Sequence, residues 1–151
     1  MKLGIMCGIP LSGKSTFARK LQSRGWVRVS LDDIRLAVHG EVYKAEAEPY
    51  VWEIAELMVR SLLKSGHHVI VDTTNRTRER RQRWIRVANE FGLALEIYHV
   101  ELDYETCKHR NKTLQRLSKE VLKQIYKEFE IPTSDEGVVI NVDYESSARR
   151  N

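Results

Sequence analysis

A glycine-rich segment near the start of the sequence has the residue types and spacing that bind a phosphate chain. Residues 8–15 fit the P-loop pattern G-x-x-x-x-G-K-[ST]. Gly8 and Gly13 allow close approaches that a Cβ atom would block, so successive N–H groups can converge on phosphate oxygens. Lys14 can then bridge the β- and γ-phosphates of ATP, and the Ser15 hydroxyl can bind Mg²⁺. The predicted nucleotide contacts are Gly8, Ser12, Gly13, Lys14, Ser15 and Thr16.

Two aspartates and an arginine lie within one helical turn of each other at residues 32–35. A hydroxyl is barely ionised at neutral pH, so phosphoryl transfer to it needs a positioned proton acceptor, usually a carboxylate. Asp32 or Asp33 can supply that carboxylate, while the other can cap the start of a helix. Arg35 can clamp a phosphate of the acceptor or of the transferring group. The segment therefore predicts phosphoryl transfer to a hydroxyl.

An aspartate also ends the apolar run of residues 69–71. A hydrophobic strand that ends in aspartate has the general form of a Walker B strand, so Asp72 is predicted to hold Mg²⁺ together with the P-loop serine. Thr74 and Asn75 follow with short polar side chains that suit contacts to an acceptor. They could equally form a turn and cap the next helix.

Six arginines fall within residues 76–86. A charge run of this kind is often the solvated face of a helix. The alternative is a basic wall for a polyanionic acceptor, because the arginine guanidinium matches phosphate geometry. On that alternative Arg76 and Arg78 are predicted acceptor contacts.

A basic segment at about residues 105–118 is a candidate lid. P-loop kinases need a mobile cover that excludes water and brings cations to the transferred phosphoryl group. Arg110 and Arg116 are the candidate lid arginines, although a plain amphipathic surface helix fits the same stretch. The predicted catalytic set is Lys14, Asp32, Arg35, Arg110 and Arg116.

The elements that must position these residues alternate along the chain. The predicted strands are Leu3–Cys7, Val27–Val29, His68–Asp72, Leu95–Val100 and Val138–Val142. Helical periodicity covers Pro49–Ser65, Thr77–Phe91 and Ser118–Phe129. In the first of these helices the shared apolar face is predicted as Val51, Ile54, Met58 and Leu62. Strands separated by such helices predict a three-layer α/β fold, with helices on both faces of a parallel sheet and ligands at the carboxyl ends of its strands.

Composition limits the alternatives. The 151 residues fit a single domain spanning 1–151, and a net charge of +4 favours an anionic partner only where basic residues cluster. Two cysteines do not suggest a disulfide framework. No stretch approaches about 18 consecutive apolar residues, so we expect a cytoplasmic protein with no membrane partner.

Taken together, these segments resemble the kinase domain of the polynucleotide 5′-hydroxyl kinase family, one of the small P-loop kinases. The matching segments are the P-loop, Asp32-Asp33-Ile34-Arg35, Asp72-Thr73-Thr74-Asn75, Glu79-Arg80-Arg81, Trp84, Arg110-Asn111 and the final helix. The resemblance implies that Asp32 is the general base for a 5′-hydroxyl and that Arg35 contacts the 3′-phosphate of the acceptor. It also implies a lid arginine at the ATP phosphates and a nucleic acid 5′ end as the substrate.

Two alternatives to a polynucleotide kinase stay open. Relatives of the same architecture phosphorylate sugars, antibiotics and other small hydroxylated molecules, which fold and P-loop do not separate. The second alternative is a regulatory module that binds ATP without catalysis. The sequence is compatible with a homo-oligomer and does not specify one, and it does not distinguish DNA from RNA.

Overall fold

The computed structural model describes residues 1–143, and its centre is a five-stranded sheet. The strands are β1 (Leu3–Cys7), β2 (Val27–Ser30), β3 (Val69–Asp72), β4 (Leu95–Val100) and β5 (Val138–Val142). Their order in the sheet is β2-β3-β1-β4-β5, and neighbouring strands pair in parallel. Each predicted strand lies within one residue of these bounds. The predicted α/β fold with a parallel sheet of five strands is therefore confirmed.

Helices separate the strands. They are α1 (Lys14–Gln22), α2 (Leu31–Val38), α3 (Glu48–Lys64), α4 (Arg78–Glu90), α5 (Tyr104–Leu114) and α6 (Lys119–Glu128). A short 3₁₀ turn at Ala45–Ala47 precedes α3. The three helices predicted from periodicity correspond to α3, α4 and α6, each within one residue at both ends.

The helices cover both faces of the sheet. Buried residues of α2, α3 and α4 form one apolar cluster with the strands, and buried residues of α1 form a second cluster. The buried stripe of α3 is rotated from the predicted one and consists of Val51, Ala55, Val59 and Leu63. Met58, predicted to face the core, is 40% exposed. The observed stripe includes Ala55 and Val59 where the predicted one has the larger Ile54 and Met58, a difference that apolar periodicity alone does not reveal.

Side-chain caps fix where several helices begin. The Ser30 hydroxyl accepts a hydrogen bond from the backbone N–H of Asp33, and Thr77 caps α4 in the same way through the N–H of Arg80. Because Ser30 is the cap of α2, neither Asp32 nor Asp33 is needed for that role. Both aspartates instead lie in the first turn of α2, where their negative charges interact favourably with the helix dipole.

The sheet brings the candidate residues to one edge. Ser30 at the end of β2 is paired with Asp72 at the end of β3, and β1 ends beside them at Cys7. Residues that follow β1, β2 and β3 therefore meet at the same carboxyl edge, as the sequence predicts. Across residues 1–143, no helix has both the length and the apolar character needed to cross a membrane.

Candidate active site

The P-loop joins β1 to α1 through backbone conformations that glycine favours. Gly13 has φ of 103° and precedes the first residue of α1, and Leu11 also has positive φ, at 69°. A Cβ atom on Gly8 would lie 2.8 Å from the carbonyl oxygen of Val100 and 2.9 Å from Ser12 Oγ. Only glycine fits at that position without a shift of the surrounding backbone.

The interior of the loop carries polar groups that suit a phosphate chain. Ser12 is fully buried, and its hydroxyl has no hydrogen-bond partner among the described residues. Lys14 is buried, and its Nζ donates to the carbonyl oxygen of Ile9 at 2.8 Å. Within residues 1–143 Lys14 forms no salt bridge, so no carboxylate contacts its ammonium group directly. An orphaned hydroxyl and a buried ammonium are the groups that a bound phosphate would satisfy.

The pKa of Lys14 reports the electrostatics of this loop. Burial lowers its pKa, because desolvation disfavours the charged form. The charges of Asp72 and then Asp32 oppose that effect. The two carboxylates therefore act electrostatically on the P-loop lysine, so the three candidate groups share one site.

The Asp32 side chain is exposed to solvent and is bound by Arg35. Its side chain is 77% exposed, and Arg35 Nη1 donates to its Oδ1 at 2.8 Å. Arg35 is in turn fixed by Glu48, to which Nε donates at 2.7 Å and Nη2 at 3.0 Å. Trp52 Nε1 donates to the same carboxylate at 3.1 Å. The exposed carboxylate of Asp32 is thus oriented by an arginine that is itself locked in place.

The bidentate contact between Arg35 and Glu48 shifts the pKa values of both groups. Burial alone would lower the pKa of Arg35, but its hydrogen bonds and charge pairing with Glu48, and then with Asp32, raise it above its ordinary value. Burial alone would raise the pKa of Glu48, but Arg35, Trp52 and Arg80 together lower it. Both groups are charged at neutral pH, so the clamp that holds Asp32 is permanent there.

Asp33 has a different partner from its neighbour. Its side chain is 66% exposed and accepts from Arg28 Nη1 at 3.0 Å. Arg28 also binds Asp72, with Nη2 at 2.7 Å and Nε at 2.8 Å from Oδ2. The two aspartates therefore have different partners. Asp32 is bound by Arg35, which Glu48 holds (the Arg35 clamp), and Asp33 is bound by Arg28, which also pairs with Asp72.

Asp72 ends β3 with only 3% of its side chain exposed. Arg28 occupies its Oδ2 atom, and Ser15 lies at the start of α1, after the P-loop glycine. A carboxylate and a hydroxyl are hard oxygen donors of the kind that Mg²⁺ prefers. Among residues 1–143, no cluster of three or more His, Cys, Asp or Glu side chains could hold a metal ion by itself. This donor set fits an ion that completes its shell with phosphate oxygens and water.

Two of the predicted acceptor contacts lie in structural positions. Asn75 is fully buried, donates from Nδ2 to the carbonyl oxygen of Met6 at 2.7 Å, and accepts from Trp84 Nε1 at 3.1 Å. Its side chain is therefore not available to an acceptor. Arg78 is exposed and pairs with Asp135, ahead of β5. The predicted contact Thr74 is half-buried, and its carbonyl oxygen accepts from the N–H of Gly8 at 3.1 Å.

The arginine run of residues 76–86 is largely paired with carboxylates. The ion pairs are Arg76–Glu128, Arg78–Asp135, Arg81–Glu136 and Arg83 with both Glu53 and Glu56. Arg81 and Glu136 are buried, with 1% and 0% of their side chains exposed. The run is therefore neither a purely solvated face nor a continuous basic wall, because most of its charge is neutralised within the protein.

The two candidate lid arginines differ in their surroundings. Arg110 lies on α5, and its Nη1 donates to the carbonyl oxygen of Leu11 in the P-loop at 2.8 Å. Arg116 is exposed in the short connection to α6. Asn111 holds that connection, donating to the carbonyl oxygen of Leu117 at 2.8 Å and accepting from its N–H at 3.0 Å. Of the two arginines, Arg110 is the one that contacts the phosphate-binding loop.

Sequence reasoning missed three residues of this site, namely Arg28, Glu48 and Trp52. Arg28 and Glu48 each contact a side chain on another element, 44 and 13 residues away, and Trp52 contacts Glu48 four residues before it in the same helix. A charged residue inside the short strand β2 was the one signal for Arg28, because a buried strand position rarely carries an arginine without a partner.

The fold and the P-loop site define a small P-loop kinase domain. The chain belongs to the AAA domain family (AAA_33), whose profile matches residues 3–132. It is also similar to the bifunctional polynucleotide phosphatase/kinase of Schizosaccharomyces pombe, with 28% identity over 140 residues. That match covers 88% of this chain and 31% of the relative. The predicted resemblance to polynucleotide kinases is confirmed at the level of the domain.

Comparison with solved structures also identifies proteins of this fold. A chain of the Pnkp1/Rnl/Hen1 complex is 34% identical, with a TM-score of 0.66 over 72% of this chain and 38% of its own length. A chain of the Pnkp1/Rnl/Hen1 RNA repair complex is 28% identical, with a TM-score of 0.74 over 84% of this chain and 43% of its own. The Mycobacterium tuberculosis APS kinase CysC, in complex with AMPPNP and APS, shares the fold, with 16% identity, a TM-score of 0.72, and coverage of 99% of this chain and 94% of its own. This chain thus spans less than half the length of the phosphatase/kinase relative and of both chains from the Pnkp1/Rnl/Hen1 complexes.

Proposed function

We propose that this domain transfers the γ-phosphate of ATP to the 5′-hydroxyl of a DNA or RNA strand. The observation that carries the proposal is the exposed Asp32 carboxylate, which Arg35 holds at the carboxyl edge of the sheet where the P-loop also lies. A base in that position can accept the proton of a hydroxyl presented to the nucleotide. Similarity to a protein named as a polynucleotide phosphatase/kinase supports the choice of acceptor.

In this mechanism the P-loop holds the phosphate chain. Backbone N–H groups around Gly13 and the Ser12 hydroxyl would bind phosphate oxygens, and Lys14 would neutralise their charge. Ser15 and Thr16 at the start of α1 would contribute their hydroxyls. Lys14 exchanges its bond to the carbonyl oxygen of Ile9 for bonds to phosphate, so the loop needs little rearrangement.

Asp32 and Arg35 act on the acceptor. The Asp32 carboxylate takes the proton of the 5′-hydroxyl. At the same time the 5′-oxygen bonds to the γ-phosphorus, and the bond between the γ-phosphorus and the β-phosphate oxygen breaks and releases ADP. Arg35 keeps Asp32 oriented with one N–H group. Glu48 occupies its Nε and Nη2 atoms, so a further Nη donor is left for the 3′-phosphate of the acceptor.

Mg²⁺ would be held by Ser15 and Asp72. The ion would neutralise charge on the phosphates. Arg28 holds the Asp72 carboxylate in place, since it binds one of its two oxygens. The segment at residues 105–118 would serve as the lid, with Arg110 as its arginine because Arg110 already contacts the P-loop.

Label transfer tests the proposal. The purified domain is incubated with Mg²⁺ and γ-labelled ATP and a 5′-OH oligonucleotide, and the same strand carrying a 5′-phosphate serves as the matched control. Free nucleosides, sugars and other small alcohols complete the panel. We expect label on the 5′-OH strand alone. Label on a small molecule with none on the strand would instead establish the small-molecule alternative. Tight ATP binding with no transfer to any acceptor would establish the regulatory module.

A further inference from the structure

A groove on the α3–α4 side of the molecule lies beside the Arg35 clamp. It has a volume of about 730 Å³, and its lining includes Trp52 of α3, Arg80 of α4, Arg76 before α4 and Glu128 at the end of α6. Trp52 connects it to the proposed acceptor site, because Nε1 of the same side chain donates to Glu48, which holds Arg35. A strand that reaches Arg35 could therefore continue into this groove.

Arg80 and Arg86 differ from the other two arginines that line the groove. Arg76 and Arg83 form salt bridges, whereas the described residues place no carboxylate within salt-bridge distance of the guanidinium of Arg80 or of Arg86. Arg86 is exposed, whereas Arg80 is half-buried and its Cζ lies 5.9 Å from the ring centroid of Trp52. A planar cation fixed over an aromatic ring and left without a counter-ion is ready to bind an anion.

Nearby charges strengthen this conclusion. Burial lowers the pKa of Arg80, and the charge of Arg76 lowers it further. The charges of Glu48 and of Glu128, which lines the groove, raise its pKa and compensate in part. Two neighbouring guanidiniums of which one is unpaired repel each other, and an anion placed between them would relieve that repulsion.

We propose that Arg80, with Arg76 beside it, binds a second phosphate of the acceptor strand, on the 3′ side of the phosphate that Arg35 holds. This inference rests on the proposed function. Trp52 is the positioning residue, since it supports Arg80 through its ring and the Arg35 clamp through its N–H group. A nucleoside 3′-phosphate would reach only Arg35, so the groove would select strands over mononucleotides.

Affinity for acceptors with one or two phosphates tests this subsite. The acceptors are a nucleoside 3′-monophosphate and a 5′-OH dinucleotide 3′-phosphate, and their Kd values are measured by displacement of a fluorescent 5′-OH oligonucleotide. We expect wild type to bind the dinucleotide at least about tenfold more tightly, as a charge-assisted hydrogen bond allows. Arg80→Gln should lose that gain and keep the affinity for the mononucleotide. Its oligonucleotide KM should rise by the same factor with kcat unchanged.

Arg24→Gln is the matched control. It removes the same charge from the exposed turn between α1 and β2, at the opposite end of the sheet, and should behave as wild type. An Arg80→Gln protein that keeps the full gain from the second phosphate would overturn the inference. So would an equal loss for both acceptors, because Arg80 would then act only through the clamp.

The same experiment separates the two proposals. Oligonucleotide binding that depends on Arg80, without phosphate transfer by wild type, contradicts the proposed function and leaves the subsite intact. Transfer to strands with no dependence on Arg80 contradicts the subsite alone. Absence of both binding and transfer contradicts both.

Discussion

At the scale of single residues, the two neighbouring aspartates at the start of α2 have separate partners. Asp32 is bound by Arg35, whereas Asp33 is bound by Arg28, which also pairs with Asp72. Their sequence positions do not separate these roles, but their contacts do. Asp32, which the Arg35–Glu48 pair holds, is the residue that we expect to accept the proton.

Replacing Asp32 by Asn should lower kcat for phosphoryl transfer by about 10²-fold or more, since a positioned general base contributes on that scale. The Kd for ATP should change little, because the amide keeps the size of the carboxylate. Asp33→Asn is the matched control and should reduce kcat far less. A larger loss for Asp33→Asn than for Asp32→Asn would move the base to the other aspartate.

Lys14→Met should raise the Tm of the nucleotide-free domain and abolish the further rise caused by ATP. The wild-type ammonium is buried without a salt bridge in the described residues, so its removal relieves a desolvation cost. The lowered pKa of Lys14 also means that the unfolded chain binds more protons than the folded one. The free energy of unfolding of wild type minus that of Lys14→Met should therefore rise with pH between the lowered pKa and 10.5, the ordinary value. Taking the difference cancels the opposite contribution of Cys7 and Cys107, whose pKa values burial raises to about 11 in both proteins. A lower Tm for Lys14→Met would contradict this account.

At the scale of elements, α4 is fastened to the centre of the sheet by buried polar contacts. Arg81 donates to the carbonyl oxygen of Asn75 at 2.8 Å and pairs with Glu136, which also accepts from the N–H of Thr133 at 2.8 Å. Asn75 in turn bonds Met6 of β1 and Trp84 of α4. The residues that the resemblance shares along α4 thus hold the helix against the strand that carries the P-loop.

Glu136→Gln should destabilise the domain by about 3–5 kcal/mol, because the buried Arg81 loses its compensating charge. Urea unfolding followed by tryptophan fluorescence, to which the buried Trp84 contributes, measures the change. Asp135→Asn removes the adjacent carboxylate from an exposed pair with Arg78 and should have little effect. Equal losses for the two variants would show that burial does not govern these pairs.

At the scale of the whole molecule, the net charge of +4 overstates the basic surface available to a nucleic acid. Four of the six arginines of residues 76–86 form salt bridges within the described residues. The two proposals above assign one strand phosphate to Arg35 and a second one to Arg80. Two contacts to a single strand predict that log KM for an oligonucleotide rises with log salt with a slope of about 1.4. A slope near 4 would mean that the whole arginine run contacts the strand.

Local sequence patterns predicted the strands, three of the helices and the P-loop of this domain. Contacts between elements that are distant in sequence were revealed only by the structure. The P-loop and the five strands depend on short-range spacing and apolar runs, so the sequence was sufficient for them. Asn75 carries the same short polar signature as an acceptor contact, and only its burial beneath α4 reveals its structural role. The Arg28–Asp72 and Arg35–Glu48 pairs join separate elements, and no local pattern encodes them.

A competition between acceptors in a single reaction tests both the acceptor and the general base of the proposed transfer. The wild-type domain receives γ-labelled ATP, Mg²⁺, and equal concentrations of a 5′-OH oligonucleotide and its 5′-terminal nucleoside, and the products are digested to mononucleotides. We expect the label to be recovered as the 5′-phosphate of the terminal nucleotide of the strand, and its initial rate of appearance to fall by about 10²-fold or more in Asp32→Asn. Label on the free nucleoside alone, or an unchanged rate of labelling of the strand in Asp32→Asn, would contradict the proposed function.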